Sequence, residues 1–362
     1  MKAAVCRSFG APLTIEDLEL DSPQRGEVRV ELAACAICHS DIAFAEGAWD
    51  GALPALYGHE AAGVVSELGP RATSVRVGDR VVVSLLRSCG QCFFCTREER
   101  HLCEGAFPAD RRTLLQTADG EHVVQAMHTG AFAEEVVVDE SQVAVLPPSV
   151  PFDAASVLGC AVLTGVGAVL DRAQVRPGAS AVVIGTGGVG VNVVQGAALA
   201  GATTIVALDV SQAKREAATV FGATHAVDPA TGDAVASVRN LTGGRGADYV
   251  FVTVGRGDAI GRALACARRG GTVVVVGMPP SEETFSVVAV DLVHDDVRVL
   301  GCKIGSGSGP FRDAVARLVR LYEAGRLKLD ELVTACYPLE RINDAVAAAH
   351  GDALRNVIVF DR

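Results

Sequence analysis

The chain has 362 residues, a formal net charge of −11, 49% hydrophobic residues and only 5% aromatic residues. That length is sufficient for two domains, each with its own core. The acidic balance and the lack of a basic run exclude a nucleic-acid-binding protein or one that docks on an anionic membrane surface. No apolar run approaches the roughly 20 residues of a membrane span. The first residues, MKAAVCRSFG, lack the features of a secretory signal. Eleven cysteines in such a chain favour metal binding in the reducing cytoplasm over disulfides.

The first part of the chain predicts β-structure without a sustained helical period. Short strands and turns fill residues 1–35, and VRVELAACA (28–36) leads directly into Cys38. EAAGVVSELG (60–69) and GDRVVV (78–83) continue the pattern, with turn residues between them. Cys38 and His39 are adjacent, and His59 follows later. A thiolate and an imidazole that meet in the fold can hold Zn²⁺, which is catalytic when one further ligand leaves a position open.

Four closely spaced cysteines follow on a loop that carries glycine and charged residues: Cys89, Cys92, Cys95 and Cys103. Four thiolates at this spacing can surround one Zn²⁺ tetrahedrally and leave no open position. We therefore predict a structural zinc that holds the lobe 89–103 together. The alternative is a set of free or partly oxidised thiols.

Residues 104–130 have mixed charges and no periodic pattern, and we predict an irregular stretch in which His122 and His128 have no special function. AFAEEVVVDES (131–141) predicts a strand. LPPSVPFDAAS (146–156) predicts a proline-rich bend that ends just before Cys160.

From about 161 to 304, strand and helix patterns alternate, which is typical of a parallel sheet. The apolar strand SAVVIG (180–185) runs into a glycine motif, then a helix, then the strand TTIVALD (203–209). The motif consists of Gly185, Thr186, Gly187, Gly188, Val189 and Gly190. Because this motif lies between a buried strand and a helix, we predict a dinucleotide-binding loop.

Each position of the motif has a physical role in this interpretation. Gly185 permits the tight turn, Gly187 lets the backbone approach the pyrophosphate, and Gly190 lets helix and strand pack closely. The N–H groups of the helix N-terminus, at Gly188 and Val189, face the phosphates. Asp209 accepts hydrogen bonds from the adenosine ribose and repels a 2′-phosphate, so NAD is favoured over NADP. The alternative is that Asp209 only caps the helix 211–222.

The remaining patterns complete the sheet and add a helical tail. ADYVFVTVG (247–255), a helix around 258–267 and TVVVVG (272–277) predict a doubly wound parallel sheet. A helix over 309–325 and the strand NVIVF (356–360) follow. Since the sheet is complete by about 304, we expect this tail to return to the first domain.

Together these motifs resemble the zinc-dependent alcohol dehydrogenases of the medium-chain dehydrogenase/reductase (MDR) family. The resemblance rests on the order of Cys38, Gly58-His59-Glu60, the four-cysteine lobe, Cys160, GTGGVG and Asp209, and it covers essentially the whole chain. It implies a GroES-like, mostly-β catalytic domain (1–160, with the C-terminal segment 305–362) and a Rossmann coenzyme domain (161–304). The implied activity is that of an oxidoreductase: reversible hydride transfer between an alcohol and NAD, giving an aldehyde or ketone.

The resemblance also implies roles for the residues around the first zinc. Cys38, His59 and Cys160 would hold a catalytic Zn²⁺ in addition to the structural one, although by itself Cys160 reads as a small buried residue. Glu60 would lie beside the metal, and Asp41 would orient His59.

The implied proton path begins at Ser40. This hydroxyl would take the proton of the alcohol and pass it on. Many family members continue the path with a histidine where this chain has Ala43, so either water or His39 would have to end it.

Further roles concern the coenzyme and the substrate. The resemblance places His39 and Arg355 near the pyrophosphate and Lys214 near the adenosine ribose, and the alternative for all three is ordinary surface or interdomain charge. It also suggests an apolar substrate pocket that favours a primary alcohol with a hydrocarbon, aromatic or allylic body. The implied lining residues are Trp49, Leu85, Met278 and Ile304. Glutathione-dependent formaldehyde dehydrogenases have charged residues at positions that match Trp49 and Phe107 here, so that substrate is not expected.

Two alternatives remain open at this stage. The same fold could serve an aldehyde reductase or a polyol dehydrogenase, and several of the latter have glutamate in place of Cys160. A more distant alternative is a non-enzymatic redox sensor that binds zinc and a dinucleotide. The family expectation is a homodimer formed through the edge strand at 297–303, or a homotetramer.

Overall fold

The structure, a computed structural model, describes residues 1–307 and 309–361. These residues form two compact units. One consists of Met1–Cys160 together with 309–361, and the other is Ala161–Gly307.

The N-terminal part of the first unit is built almost entirely from strands. They are β1 (Lys2–Cys6), β2 (Thr14–Leu20), β3 (Glu27–Ala36), β4 (Ala55–Leu56), β5 (Glu60–Leu68), β6 (Arg80–Ser84), β7 (Leu115–Thr117), β8 (His122–Gln125), β9 (Glu135–Asp139) and β10 (Val143–Val145). Two helices join them, α1 (His39–Ala45) and α2 (Phe152–Ser156). Strands β1, β2, β7, β8 and β4 form a closed barrel, and the long strand β3 pairs with both β5 and β9 in a neighbouring sheet. This confirms the predicted mostly-β domain.

Two details differ from the sequence prediction. The stretch 104–130 is not wholly irregular, because β7 and β8 lie within it and close the barrel. These strands have three and four residues, and each fixes a buried side chain in the core, Leu115 and Val123. Strands this short have too few alternations to be seen in the sequence. The seven-residue helix α1 was missed for the same reason, since it is shorter than two full repeats of a helical pattern.

The second unit alternates strands and helices. Its strands are β11 (Ser180–Ile184), β12 (Thr204–Leu208), β13 (His225–Val227), β14 (Ala247–Val252), β15 (Ala267–Val275) and β16 (Arg298–Gly301). Its helices are α3 (Ala161–Gly167), α4 (Gly188–Leu199), α5 (Gln212–Val220), α6 (Ala234–Leu241), α7 (Gly257–Cys266) and α8 (Ala289–His294). The sheet order is β13-β12-β11-β14-β15-β16, and all pairs are parallel. This confirms the predicted doubly wound sheet.

The strand order determines where this unit binds a ligand. The chain runs outward from β11 to β12 and β13 on one side, and then crosses to β14 on the other side of β11. In doubly wound sheets ligands bind at the carboxyl ends of the strands on either side of such a reversal. The glycine motif follows β11 directly, so it lies at this point.

The C-terminal segment belongs to the first unit. It consists of α9 (Phe311–Glu323), β17 (Val333–Pro338), α10 (Ile342–Ala349) and β18 (Arg355–Val359). Strand β18 pairs antiparallel with the end of β3, where Val357 faces Ala36 and Ile358 faces Cys35. Arg355 at the start of β18 is therefore brought close to the residues that follow β3.

No single helix among residues 1–307 and 309–361 is long and apolar enough to cross a membrane. One bent pair of adjoining helices passes by length and composition alone.

Candidate metal centres and coenzyme site

The first predicted metal cluster is organised by the buried carboxylate of Asp41. Cys38 is the N-cap of α1, and its backbone N–H donates to Asp41 Oδ2 at 3.0 Å. The Gly58 N–H donates to Asp41 Oδ1 at 2.9 Å, and His59 Nδ1 lies 2.9 Å from the same oxygen. One carboxylate therefore caps the helix that begins after Cys38 and also fixes the turn and the ring at His59.

The orientation of His59 determines which ring nitrogen is available to a metal. Asp41 as a carboxylate can only accept, so in the neutral form of His59, the form that can bind a metal, the proton lies on Nδ1 and the lone pair on Nε2. His59 is 0% exposed, and its Nε2 is buried without a hydrogen-bond partner. An unpaired buried nitrogen costs free energy unless a ligand satisfies it, and a metal ion is such a ligand.

Cys160 reaches the same point from a different part of the chain. The residue before it, Gly159, accepts a hydrogen bond from Ser84 Oγ at 2.6 Å. Gly159 also packs so closely on β6 that an added Cβ would lie 2.5 Å from Val83 O. The ligand atoms of Cys38, His59, Glu60 and Cys160 all lie within 4.8 Å of one another.

Charge in this cluster is balanced by Arg355. Its guanidinium lies 3.2 Å from Glu60 Oε1 and 3.9 Å from Cys38 Sγ, and all three side chains are buried. Burial raises the pKa of Glu60 to about 8, although Arg355 opposes the shift. The neighbouring Cys160 thiol, followed by His59, holds the pKa of Cys38 well below its usual range.

These residues fit a zinc ion. Zn²⁺ takes thiolate and imidazole ligands in tetrahedral sites, and catalytic sites use three protein ligands with an open fourth position. Two cysteines and a histidine with an unpaired Nε2 supply such a set, and the neighbouring Glu60 pairs with Arg355.

The second cluster comprises the four cysteines of the lobe, Cys89, Cys92, Cys95 and Cys103, whose sulfur atoms lie within 4.8 Å of one another. Backbone N–H groups of Cys89 and Gly105 each donate to Cys103 Sγ at 3.3 Å. Backbone hydrogen bonds from Cys95 and Glu104 lower the pKa of Cys92 to about 6. N–H donors stabilise thiolates, and four thiolates form a closed tetrahedral zinc site.

The glycine motif of the coenzyme unit has three distinct environments. Gly185 has a φ of +86°, and an added Cβ would lie 2.4 Å from Val254 Cγ1. A Cβ at Gly190 would lie 2.0 Å from Gly185 O, so α4 packs directly on the turn. Nothing lies within 4 Å of a Cβ position at Gly187, which leaves the backbone open there. This open backbone at the start of α4 fits the pyrophosphate of a dinucleotide.

Comparison with known proteins agrees with both parts of this geometry. Residues 24–148 match the model for the alcohol dehydrogenase GroES-like domain, and residues 188–320 match that for the zinc-binding dehydrogenase domain. The chain belongs to the zinc-dependent alcohol dehydrogenases of the MDR family. It is therefore an oxidoreductase that acts on alcohols, with zinc and a nicotinamide dinucleotide as cofactors.

Individual relatives of this alcohol dehydrogenase span the full chain. Alcohol dehydrogenase class-3 of Cereibacter sphaeroides is 38% identical, with 99% of each chain covered. S-(hydroxymethyl)glutathione dehydrogenase of Paracoccus denitrificans is 35% identical, also with 99% of each covered. The crystal structure of benzyl alcohol dehydrogenase from Acinetobacter calcoaceticus has a TM-score of 0.93, 29% identity and 99% coverage of both chains.

The other predicted residues of this alcohol dehydrogenase are spread over both units. Ser40 and the exposed His39 lie in the first turn of α1. Lys214 lies in the first turn of α5. The predicted pocket residues Trp49 and Leu85 belong to the first unit, whereas Met278 and Ile304 belong to the second. Their joint role as a pocket stays a prediction.

Sequence reasoning missed a contact around Asp209. The Thr186 N–H donates to Asp209 Oδ2 at 2.7 Å, and the Thr186 hydroxyl lies 3.3 Å from the same oxygen. The only signal in the sequence is a hydroxyl-bearing residue at the second position of the glycine motif.

Proposed function

We propose that this enzyme interconverts primary alcohols with an apolar, aromatic or allylic body and the corresponding aldehydes, with NAD rather than NADP. The cluster of Cys38, His59 and Cys160 supports this proposal most directly, because the unpaired Nε2 of His59 requires a ligand. When bound, zinc supplies Lewis-acid polarisation of the substrate oxygen, and NAD accepts or returns the hydride.

The residues of the chain prepare this site. Asp41 fixes the tautomer of His59 and the position of Cys38 through three contacts of 2.9–3.0 Å. Arg355 pairs with the Glu60 carboxylate at 3.2–3.3 Å and so compensates its charge beside the metal ligands. We assign to Ser40, two residues after Cys38, the transfer of the alcohol proton away from the substrate. Ala43, one turn further along α1, has no group that could continue this path.

The preference for NAD is argued from Asp209. A carboxylate at the end of β12 accepts hydrogen bonds from two ribose hydroxyls and repels a 2′-phosphate. Lys214, in the first turn of α5, is the cation we assign to the adenosine side. His39 and Arg355 are the residues we assign to the pyrophosphate.

Initial rates on zinc-loaded protein test this function. The panel consists of ethanol, benzyl alcohol, an allylic alcohol, sorbitol and S-(hydroxymethyl)glutathione, each with NAD⁺ and with NADP⁺. We expect the highest kcat/KM for benzyl or allylic alcohol with NAD⁺. Ser40→Ala should lower the rate with every alcohol about 100-fold or more, and Ser40→Thr should retain most of it. A preference for NADP⁺ or for sorbitol would contradict the proposal.

S-(hydroxymethyl)glutathione is included because the Paracoccus relative carries that name. Such a substrate needs charged groups at the pocket, and this chain has Trp49 and Phe107 at the matching positions. The nearby cation Arg87 lies over the Phe107 ring at 4.3 Å, and Asp110 neutralises it at 2.7 Å. We therefore expect this substrate to be poor. The rate of the reverse reaction, with NADH and benzaldehyde, is compared with the rate of alcohol oxidation by NAD⁺. A much faster reverse reaction would favour an aldehyde reductase over an alcohol dehydrogenase.

We further propose that the enzyme is a homodimer through β16, with a tetramer as the alternative. Strand β16 is an edge of the parallel sheet, and apolar side chains cluster before it and on it. Val288, Val290 and Val293 are 60%, 68% and 81% exposed, which is unusual for valine. Light scattering should show a dimer that Val290→Asp dissociates, whereas Val77→Asp, at an exposed valine of the first unit, should leave it intact. A monomeric wild type would refute this assembly.

The cysteine chemistry supports a reducing compartment, and we propose the cytoplasm. All eleven cysteines are free thiols, and all but the exposed Cys336 belong to one of the two metal clusters or to the buried core. Oxidation of the lobe would compete with zinc binding.

A further inference from the structure

The carboxylate of Asp209 is held in one orientation by the chain itself. The Thr186 N–H donates to Oδ2 at 2.7 Å, and the Ser211 N–H donates to Oδ1 at 2.9 Å. Arg215 fixes the backbone as well, because its guanidinium donates to Asp209 O at 2.8 Å and pairs with Asp228 at 3.2 Å. The orientation of the Asp209 carboxylate toward the ribose is therefore set by these hydrogen-bond partners.

The Thr186 hydroxyl adds a contact that a glycine motif does not require. It lies 3.3 Å from Asp209 Oδ2 and 3.3 Å from Lys214 O, so its single proton is shared between the acid and the backbone of α5. Thr186 is 0% exposed, so water cannot replace this hydroxyl as a donor. With the amide and the hydroxyl of Thr186 both at Oδ2, Oδ1 is the oxygen with more free capacity for a ribose hydroxyl.

We propose that Thr186 is a positioning residue for the coenzyme, which acts through Asp209 to set the preference for a free ribose 2′-hydroxyl over a 2′-phosphate. This inference rests on the proposed NAD preference and adds a residue to it. Replacing the hydroxyl by a methyl group leaves the Asp209 carboxylate with its amide partners but removes the second donor at Oδ2, so the carboxylate is held less firmly. Both the hydrogen bonds to the ribose and the repulsion of a 2′-phosphate then weaken.

Binding of nucleotide fragments isolates the adenosine side without any need for zinc or turnover. Adenosine 5′-monophosphate and its 2′-phosphorylated analogue, adenosine 2′,5′-bisphosphate, are titrated by calorimetry into the wild type, Thr186→Val and Thr186→Ser. For Thr186→Val we expect affinity for the monophosphate to fall about threefold to tenfold, the effect of one buried hydrogen bond. The bisphosphate should bind no more weakly than before, so the ratio of the two affinities narrows. Thr186→Ser keeps the hydroxyl and should retain the wild-type ratio.

The Asp209→Asn background tests whether Thr186 acts through this acid. If it does, Thr186→Val changes the affinity ratio in the wild type but has little further effect in Asp209→Asn. An unchanged ratio in Thr186→Val, or an equal loss in Thr186→Ser, would overturn the role of Thr186 while leaving Asp209 intact. If Asp209→Asn itself leaves the ratio unchanged, the proposed NAD preference fails, and the role of Thr186 fails with it. Thr186→Ala serves as the second hydroxyl-free variant if the valine variant does not fold.

Discussion

Replacing Asp41 by asparagine tests the support of the first metal cluster. The carboxylate accepts from three groups, the N–H groups of Cys38 and Gly58 and the Nδ1 of His59, at 2.9–3.0 Å. An amide has one oxygen and one NH₂, so in either orientation its NH₂ group faces at least one of these donors. If the NH₂ group faces His59, the ring proton is driven to Nε2, the atom that should bind the metal.

The magnitude follows from two effects. A buried N–H left without an acceptor costs about 1–3 kcal/mol of folding free energy. Loss of the residue that orients a metal-binding histidine typically costs 10–100-fold in metal affinity, or about 1.4–2.8 kcal/mol. We therefore expect Asp41→Asn to lose the zinc of the first cluster at a chelator concentration 10–100-fold lower than the wild type needs. The value of kcat/KM should fall by at least the same factor.

Asp248→Asn is the matched control. Asp248 accepts from the backbone N–H of Ser180 at 2.8 Å and from Arg268 at 2.6 Å, but it lies in the coenzyme unit far along the chain from the ligands. Its substitution should lower the melting temperature without changing zinc affinity. If Asp41→Asn keeps wild-type zinc affinity, or if both variants lose zinc equally, the assignment of Asp41 to the metal is wrong.

Three further predictions concern the two clusters and the proton path. Cys103→Ser should reduce the zinc content from two ions to one per chain and lower the melting temperature, while Cys336→Ser, at an exposed cysteine outside both clusters, should keep both ions on metal analysis. Arg355→Met leaves Glu60 buried without its partner, so we expect the free energy of unfolding, measured by denaturant titration, to fall by about 3–5 kcal/mol. Adding Glu60→Gln should restore part of this loss. If it restores none, the ion pair does not stabilise the protein. Ala43→His supplies the missing group of the proton path, so the oxidation rate should rise at low buffer concentration and depend less on buffer; a rate insensitive to both buffer and the new histidine would refute a limiting proton release.

The features of this structure that the sequence predicts are those encoded within a short stretch of the chain. The cysteine lobe, the glycine motif and the parallel strands are encoded in short stretches, where spacing or apolar runs are sufficient. Cys160 is different, because its position beside Cys38 is set by the packing of Gly159 on β6, and it was assigned only through the resemblance. The same holds for Arg355, whose approach to Glu60 depends on the pairing of β18 with β3.

The contacts of Thr186 and the barrel strands β7 and β8 are features that the sequence alone does not predict. Strands of three and four residues are stabilised by pairing with their neighbours in the barrel, and their own sequence barely favours them. The Thr186 hydroxyl can contact Asp209 only because the pairing of β12 with β11 brings this acid next to the glycine loop. Both features arise from tertiary packing between distant segments, which a single sequence does not display.

The charges around the first cluster explain why the C-terminal segment has to return to this unit. In the fully ionised site, Cys38 and Cys160 as thiolates and Glu60 as a carboxylate would carry three buried negative charges, and Arg355 supplies one positive charge. A divalent cation supplies the other two, so the site is neutral only when both the metal and Arg355 are present. Asp41 needs no share of that charge, because the N–H groups at the start of α1 and at Gly58 compensate it. Uncompensated buried charge costs several kcal/mol, so the pairing of β18 with β3, which brings Arg355 to Glu60, is a condition for a site that can ionise both cysteines.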